Sequence, residues 1–415
     1  MNILLINHYA GSIHHGMEYR PYYLAREWVR SGHRVRILAA SYSHVRSQNP
    51  QLETNARVDE TIDGIEYSWF ATPTYQGNSL GRVRNMMAFV ARLLRESGEI
   101  ARSYAPDVVI ASSTYPLDIF PARRIARLAN ARLLFEVHDL WPLSPIELGG
   151  HSRWHPFIML LQAAENYACR NANAIVSILP KVREHLQKHG MAPHKLHIVP
   201  NGADPAEWMV DSPAPPTALV ALLARLRQSG IFIIGYAGSH GTSNALGYLL
   251  DAARLMRDHP VAFVLVGDGP EKSALQQRAV ALGLASVHFV DSIPKPQIPA
   301  FLRSIDLAYI GWQRQPLYRF GIAPNKLIDY MMAGRPILHA VEAGNDLVAD
   351  ARCGLTVAPE SPRAVADGVL SFLAASPATR EAMGQRGRQF AADQLSYPVL
   401  GRRFLHILSG EAHHG

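Results

Sequence analysis

Two successive series of short apolar runs, each separated from the next by a helix-like stretch, restrict this 415-residue chain to one broad kind of fold. In the first series the runs fall at 2–6, 34–39, 108–111, 132–137, 174–177 and 196–199. Val, Ile and Leu dominate them with little polar alternation, as expected of strands covered on both faces. A helix is expected over 20–31, closing at Gly32, and a hairpin over 60–70 turned by Asp63-Gly64. After Pro200-Asn201-Gly202, the stretch 205–217 is rich in Pro, Asp and Ser and reads as a linker. The second series has runs at 232–237, 262–266, 287–290, 307–310, 336–338 and 355–357, with helices over 362–374, 377–394 and 397–408. Strand–helix alternation predicts parallel sheets with helices on both faces. The expectation is α/β: two Rossmann-like doubly wound domains, 1–204 and 205–395, facing across a cleft, with a last helix at 396–410 packing back on the first. Ligands of such sheets bind beyond the carboxyl ends of the strands.

Apolar residues make up 48% of the chain and charged residues 18%, as in globular proteins. Cys169 and Cys353 stand alone without metal-ligand spacing and read as buried small residues in a reducing compartment. The apolar start is too short for a signal peptide, and no run reaches the roughly 18 apolar residues of a membrane span. A cytoplasmic protein is expected, peripheral at the inner membrane face. The net charge of +7 favours an anionic partner surface. Nucleic acid is not expected, since no helix-turn-helix, zinc-finger spacing or aromatic RNA-binding signature is present. In 80–102, Val83, Met86, Met87, Val90, Leu93 and Leu94 recur at helical spacing beside Arg82, Arg84, Arg92, Arg95 and Arg102. That pattern fits a basic helix on anionic lipid or a surface helix packed on its own domain.

The chemistry-bearing stretch is 321–337. Pro324 can open a helix, Gly334 and Pro336 close it, and an apolar strand follows. A helix N-terminus carries unpaired N–H groups and partial positive charge, which suits an anion. Lys326 in the first turn opposes the helix dipole unless an anion is nearby, and Asp329 lies one turn on. An anion site, a lysine and a carboxylate together fit a ligand with phosphate and hydroxyl groups, such as a sugar nucleotide.

Six motifs occur in order along the chain: the glycine-containing loop after the first strand with Leu24-Ala25-Arg26-Glu27 and Gly32-His33; Val137-His138-Asp139-Leu140-Trp141-Pro142; Pro200-Asn201-Gly202-Ala203-Asp204; Gly235-Tyr236-Ala237-Gly238; Val266-Gly267-Asp268-Gly269-Pro270; and 321–337. In this series the chain resembles the family 4 glycosyltransferases of the GT-B fold over nearly its whole length. The resemblance implies a retaining transfer from a nucleotide-diphosphate sugar to a glycan or lipid-linked acceptor, with no cofactor beyond that substrate. No Asp-x-Asp triplet is present, so no metal is expected. The loop 16–28 resembles amino-sugar transferases of O-antigen or capsule assembly.

By the same resemblance, His138 lies beside the donor sugar and Lys326 meets the diphosphate. Asp329, at the second acidic position of the motif, holds donor hydroxyls or ribose. Gly238, Ser239 and His240 face the diphosphate, Gly267 and Asp268 lie near ribose and base, and Asp291 and Ile293 hold the base. Gly11, Gly16, Glu18, Tyr19 and Arg20 line the acceptor side. Two departures stand out. Gly321 replaces the first glutamate of the motif, so the amides of Gly321, Ile322 and Ala323 are expected to serve the sugar, beside Pro324 and Asn325. The run 238–244 lacks the family's Arg and Lys, which transfers the diphosphate charge to Lys326 and to the amides of Gly238 and Ser239. Trp141, Trp154, Trp208 and Trp312 read as packing residues. A non-catalytic sugar-nucleotide binder and a sugar-nucleotide 2-epimerase are the alternative readings.

Overall fold

The computed structural model describes residues 1–52, 57–77, 80–209 and 211–410. They form two compact units, Met1–Asn201 with the chain from Tyr397 onward, and Gly202–Ser396. The first holds eight strands: β1 (Asn2–Ile6), β2 (Arg34–Ala40), β3 (Arg57–Ile62), β4 (Ile65–Phe70), β5 (Val108–Ala111), β6 (Arg132–Val137), β7 (Ala174–Ser177) and β8 (Leu196–Ile198). Their order is β3-β4-β2-β1-β5-β6-β7-β8. All neighbours are parallel except the β3–β4 hairpin, which turns at Asp63-Gly64 in a left-handed conformation. The second unit holds β9 (Phe232–Ala237), β10 (Val261–Val266), β11 (Val287–Val290), β12 (Leu307–Gly311), β13 (Ile337–Ala340) and β14 (Gly354–Val357), in the parallel order β11-β10-β9-β12-β13-β14. Every residue of β9 and β10 is buried, which is why these runs carry no polar alternation.

The strand order reverses between β1 and β5 in the first sheet and between β9 and β12 in the second. At such switch points the connections leave in opposite directions and open a crevice at the carboxyl ends. The sheets are the doubly wound pair expected from the two series of apolar runs.

Two expectations need correction, and one pair of alternatives is resolved. The stretch 205–217, apart from residue 210, which lies outside the described residues, is not an interdomain linker. The units divide at Asn201/Gly202, and Trp208 anchors the segment in the core of the second unit. The helix Leu80–Tyr104 buries Met86, Phe89, Val90 and Leu93 within its own unit, with Arg92 paired to Glu96. Its apolar stripe is core, and only Leu80 and Met87 remain as exposed large apolar residues. Pro324 stands before its helix as N-cap, and Asn325 is the first helical residue. Burial pushes the thiols of Cys169 and Cys353 up to about 12, which leaves them as packing groups.

The helix Tyr397–Ser409 completes the core of the first unit. Phe404 meets Trp28 edge-on at 5.1 Å, Tyr397 stacks on Tyr23 at 4.7 Å, and Arg132 donates to the Leu408 carbonyl. Phe404 is fully buried. Phe404→Ala should destabilise the first unit by about 3–5 kcal/mol, read by urea unfolding monitored through tryptophan fluorescence.

Candidate active site

In the first unit, chemistry gathers at the β1/β5 switch. Asn7, just after β1, donates to the Ser112 carbonyl at 2.6 Å, tying the two strand ends together. Glu136, inside β6, is buried, and its Oε1 accepts two N–H groups of Arg20 at 3.0 and 2.9 Å. Ser112 Oγ donates to Glu136 Oε2 at 2.6 Å and lies 3.0 Å from His138 Nε2. The single serine proton goes to the carboxylate, so Ser112 accepts from His138, which places a proton on Nε2 and leaves Nδ1 for another partner. Burial pushes the Glu136 carboxyl up, but Arg20, His138 and the Ser112 hydrogen bond outweigh it and hold it well below the usual carboxylate range. Nearby Asp118 shows the opposite result. Burial raises its pKa to about 7 against the Ser113 hydrogen bonds, and its Oδ1 has no partner among the described residues.

The acceptor-side residues are arranged differently from expectation. Arg20 is 1% exposed, and its remaining N–H groups go to the carbonyls of Val199 and Pro200. It positions Glu136 and is not available to an acceptor. Gly11 and Gly16 make close approaches to their own loop rather than to a ligand. A Cβ on Gly11 would sit 1.9 Å from the Gly16 carbonyl oxygen, and Gly16 has φ +90° against Ser47. Buried Arg46 fixes the loop by donating to the carbonyls of His8 and Ala10. The Glu18 amide and carbonyl bond to Tyr9 and Gly11, and Tyr19 is the N-cap of the helix Arg20–Arg30 and packs on the core.

In the second unit, the helix Asn325–Met332 is held to the β9 end by Tyr330, whose hydroxyl accepts from the Ala237 amide at 2.9 Å. One turn earlier, Lys326 Nζ donates to Tyr236 Oη at 3.0 Å and to Asn244 Oδ1. It lies 4.8 Å from the Tyr236 ring centroid and 5.6 Å from that of Trp312. No carboxylate pairs with it among the described residues, and its third N–H has no acceptor among them. Burial alone lowers its pKa to about 8. Gly238 makes room for the lysine: a Cβ there would lie 2.7 Å from Lys326 Cδ. These groups occupy the ends of β9 and β12, the switch point of this sheet.

Several expected amide donors are already bonded. The Gly238 amide continues the sheet ladder to Val266, Gly267 bonds to Val290, and Gly321 bonds to Tyr318. The Ile322 amide donates to Asn345 Oδ1 at 2.8 Å, and Asn345 returns a bond to the Ile322 carbonyl. Backbone accounting in a folded loop leaves few spare N–H groups, so Gly238, Gly321 and Ile322 do not serve a ligand through their amides here. Ser239 and Asn325 are exposed, and Ala323 and Pro324 are partly exposed. Asp268 is an exposed turn residue that accepts its neighbour's amide at 2.9 Å. Asp291, also exposed, pairs with Lys272 at 2.5 Å, and Ile293 packs on the core. His240 is fully buried with neither ring nitrogen partnered among the described residues, and burial takes its pKa down to about 4, so it is neutral near pH 7. Burial pushes the Asp329 carboxyl up to about 7, with Lys295 opposing and Glu207 reinforcing. Those neighbours are not the groups around Lys326.

Glu136, Ser112, Tyr236, Asn244 and Trp312 were not assigned to the site from sequence. Glu136 alone carried a signal: a carboxylate inside a buried strand needs a partner.

Two doubly wound sheets, with polar groups collected at both switch points, are the architecture of the GT-B fold. A glycosyl transferase 4-like domain matches residues 15–202 and a glycosyl transferases group 1 domain matches 231–375. The chain belongs to the family 4 glycosyltransferases. It is 24% identical over 358 residues to the Escherichia coli K12 protein WcaI, named for a glycosyl transferase role in colanic acid biosynthesis, covering 84% of this chain and 86% of that protein. Among solved structures, HepE of Anabaena in complex with UDP-glucose superposes with a TM-score of 0.67 at 16% identity over 99% of both chains. WaaG, a glycosyltransferase involved in lipopolysaccharide biosynthesis, gives 0.65 at 18% identity over 99% of this chain and 100% of its own.

Removing the guanidinium would leave Glu136 as an uncompensated buried charge. Arg20→Met is expected to destabilise the first unit by about 3–5 kcal/mol, and pairing it with Glu136→Leu should restore most of the loss in thermal unfolding.

Proposed function

We propose that this enzyme transfers a sugar with retention of anomeric configuration from a nucleotide-diphosphate sugar to a lipid-linked glycan acceptor in surface-polysaccharide synthesis. The observation that carries the donor half is Lys326, a largely buried ammonium with no carboxylate partner among the described residues, set between two aromatic rings at a sheet switch point. A buried cation without a counter-charge is costly, and an incoming diphosphate would relieve that cost. With His240 neutral, Lys326 is the group assigned to the charge that develops on the leaving diphosphate. The departing phosphate takes the acceptor's proton on the same face as attack, so no carboxylate nucleophile and no metal are required. His138 orients a sugar hydroxyl through Nδ1, held by Ser112, Glu136 and Arg20 in turn. Asp329 holds a donor hydroxyl, and Ser239 and Asn325 face the phosphates. Asp268, Asp291 and Ile293 are assigned to the nucleoside end. UDP-glucose in HepE supports a nucleotide-sugar donor of this class.

The lipid half rests on a cavity of about 710 Å3 in the first unit, beside Asp139. Leu80, Val83, Met86, Trp141, Leu148 and Phe157 line it, with Arg82 at 5.7 Å from the Trp141 ring centroid. A largely apolar cavity that also carries Arg82, His151 and His155, with Asp139 as its one carboxylate, suits a hydrocarbon chain attached to a phosphate. Association with an anionic membrane surface would follow from that substrate.

Lys326→Ala should keep its circular-dichroism spectrum and lose roughly 10²–10³-fold in kcat; turnover near that of the unmodified enzyme would exclude the assignment. In the unmodified enzyme kcat/KM should fall above pH about 8, as the ammonium loses its proton. The kcat limb should lie at higher pH, since bound diphosphate favours the charged form.

Leu148→Glu, at an exposed cavity-lining position, should raise KM for a lipid-linked acceptor while donor hydrolysis is unchanged. Equal KM values would remove the cavity from the acceptor site.

A further inference from the structure

The first unit contains a cluster that the transfer reaction does not use. Glu165 lies on the helix Pro156–Asn171, while His185 on Arg183–Lys188 and its C-cap His189 are four residues apart and face it. The three side chains are 3%, 10% and 23% exposed, and one ligand atom from each can be chosen so that all lie within 4.8 Å of one another. His185 Nε2 is 2.9 Å from Glu165 Oε1, and His189 Nε2 is 3.8 Å from Oε2. These separations bracket the roughly 3.3 Å between ligands of a tetrahedral ion with bonds of about 2.0–2.1 Å.

We propose that Glu165, His185 and His189 bind one divalent transition-metal ion of the zinc class, clamping the two helices together with the fourth position open to water.

The chemistry around the cluster fits that occupant in three ways. First, Glu165 is a buried carboxylate with no Lys or Arg partner among the described residues; its partners are Gln162, His185 and His189. Such a charge calls for a compensating cation beside it, which a bound divalent ion would supply. Second, an outer support for His189 is in place. Its Nδ1 lies 2.8 Å from Asn166 Oδ1 and 3.0 Å from Gln162 Nε2, and Gln162 Nε2 is 2.8 Å from Glu165. With an ion on Nε2, the Nδ1 proton would go to Asn166 Oδ1. A carbonyl holding the far nitrogen of a metal-binding histidine is the usual outer support. Third, the partly exposed edge of His189 gives an ion a way in. Imidazole and carboxylate ligands without thiolate favour Zn2+ over Mg2+ or Ca2+.

The full-length chain, stripped with chelator, would be titrated with ZnCl2 by calorimetry and thermal unfolding, and with CoCl2 by absorption. About one tight equivalent, a raised Tm and a tetrahedral Co2+ band are expected, because an ion held by the folded state stabilises it. His189→Asn and Glu165→Gln should each weaken Zn2+ binding more than about tenfold, and Asn166→Ala, which keeps all three ligands, should weaken it by roughly ten- to a hundredfold. His413→Ser with His414→Ser should leave it unchanged. No Tm rise and no tetrahedral band in the unmodified chain would overturn the proposal. So would undiminished affinity in the folded Asn166→Ala and ligand variants, or loss of binding on removing the terminal histidines.

Discussion

A parallel sheet covered on both faces leaves almost no place for charge along its strands, and that constraint organises both units. Every residue of β9 and β10 is buried and uncharged. Polar chemistry is therefore pushed to the carboxyl ends, where the connections leave the sheet, and the largest gap between connections is at the switch points. Glu136 is the instructive exception. It stays ionised inside β6 because Arg20, drawn from the start of the first long helix, is buried against it. The helix entry, the strand and the residue after it are thus one electrostatic unit, and that unit places a proton on His138 Nε2.

The buried parallel strands were legible in the sequence to within a residue or two, because an unbroken apolar run has few other uses in a folded domain; β3, which is polar, was caught only as part of its hairpin. The Asp63-Gly64 turn was legible for a similar reason: both residues adopt positive φ. The site was read less well. The amides of Gly238, Gly321 and Ile322 looked available because a motif shows which residues are present but not which backbone groups are already bonded. Asn345, 23 residues from Ile322, takes both of that residue's polar groups, and nothing in the local sequence announces it. Arg20 looked like a surface contact for the same reason, since its partner Glu136 is 116 positions away. The segment around Trp208 was misread as a linker because composition near a turn outweighed one tryptophan.

Burial shifts three ionisable groups of the second unit toward their neutral forms. His240 is uncharged near pH 7, Asp329 titrates near 7, and Lys326 titrates near 8. Burial is the leading cause in all three. An anion reaching Lys326 would meet its ammonium without first having to displace a carboxylate.

The contact between Gly238 and Lys326 has a geometric consequence. The space a side chain would fill at position 238 is occupied by the lysine's own methylenes. The loop after β9 and the first turn of the helix Asn325–Met332 therefore interlock like a key and its ward, and the ammonium has little freedom to swing. A broader, planar head at position 326 would meet the Gly238 backbone before reaching Asn244, so a positive charge alone would not reproduce what this lysine does.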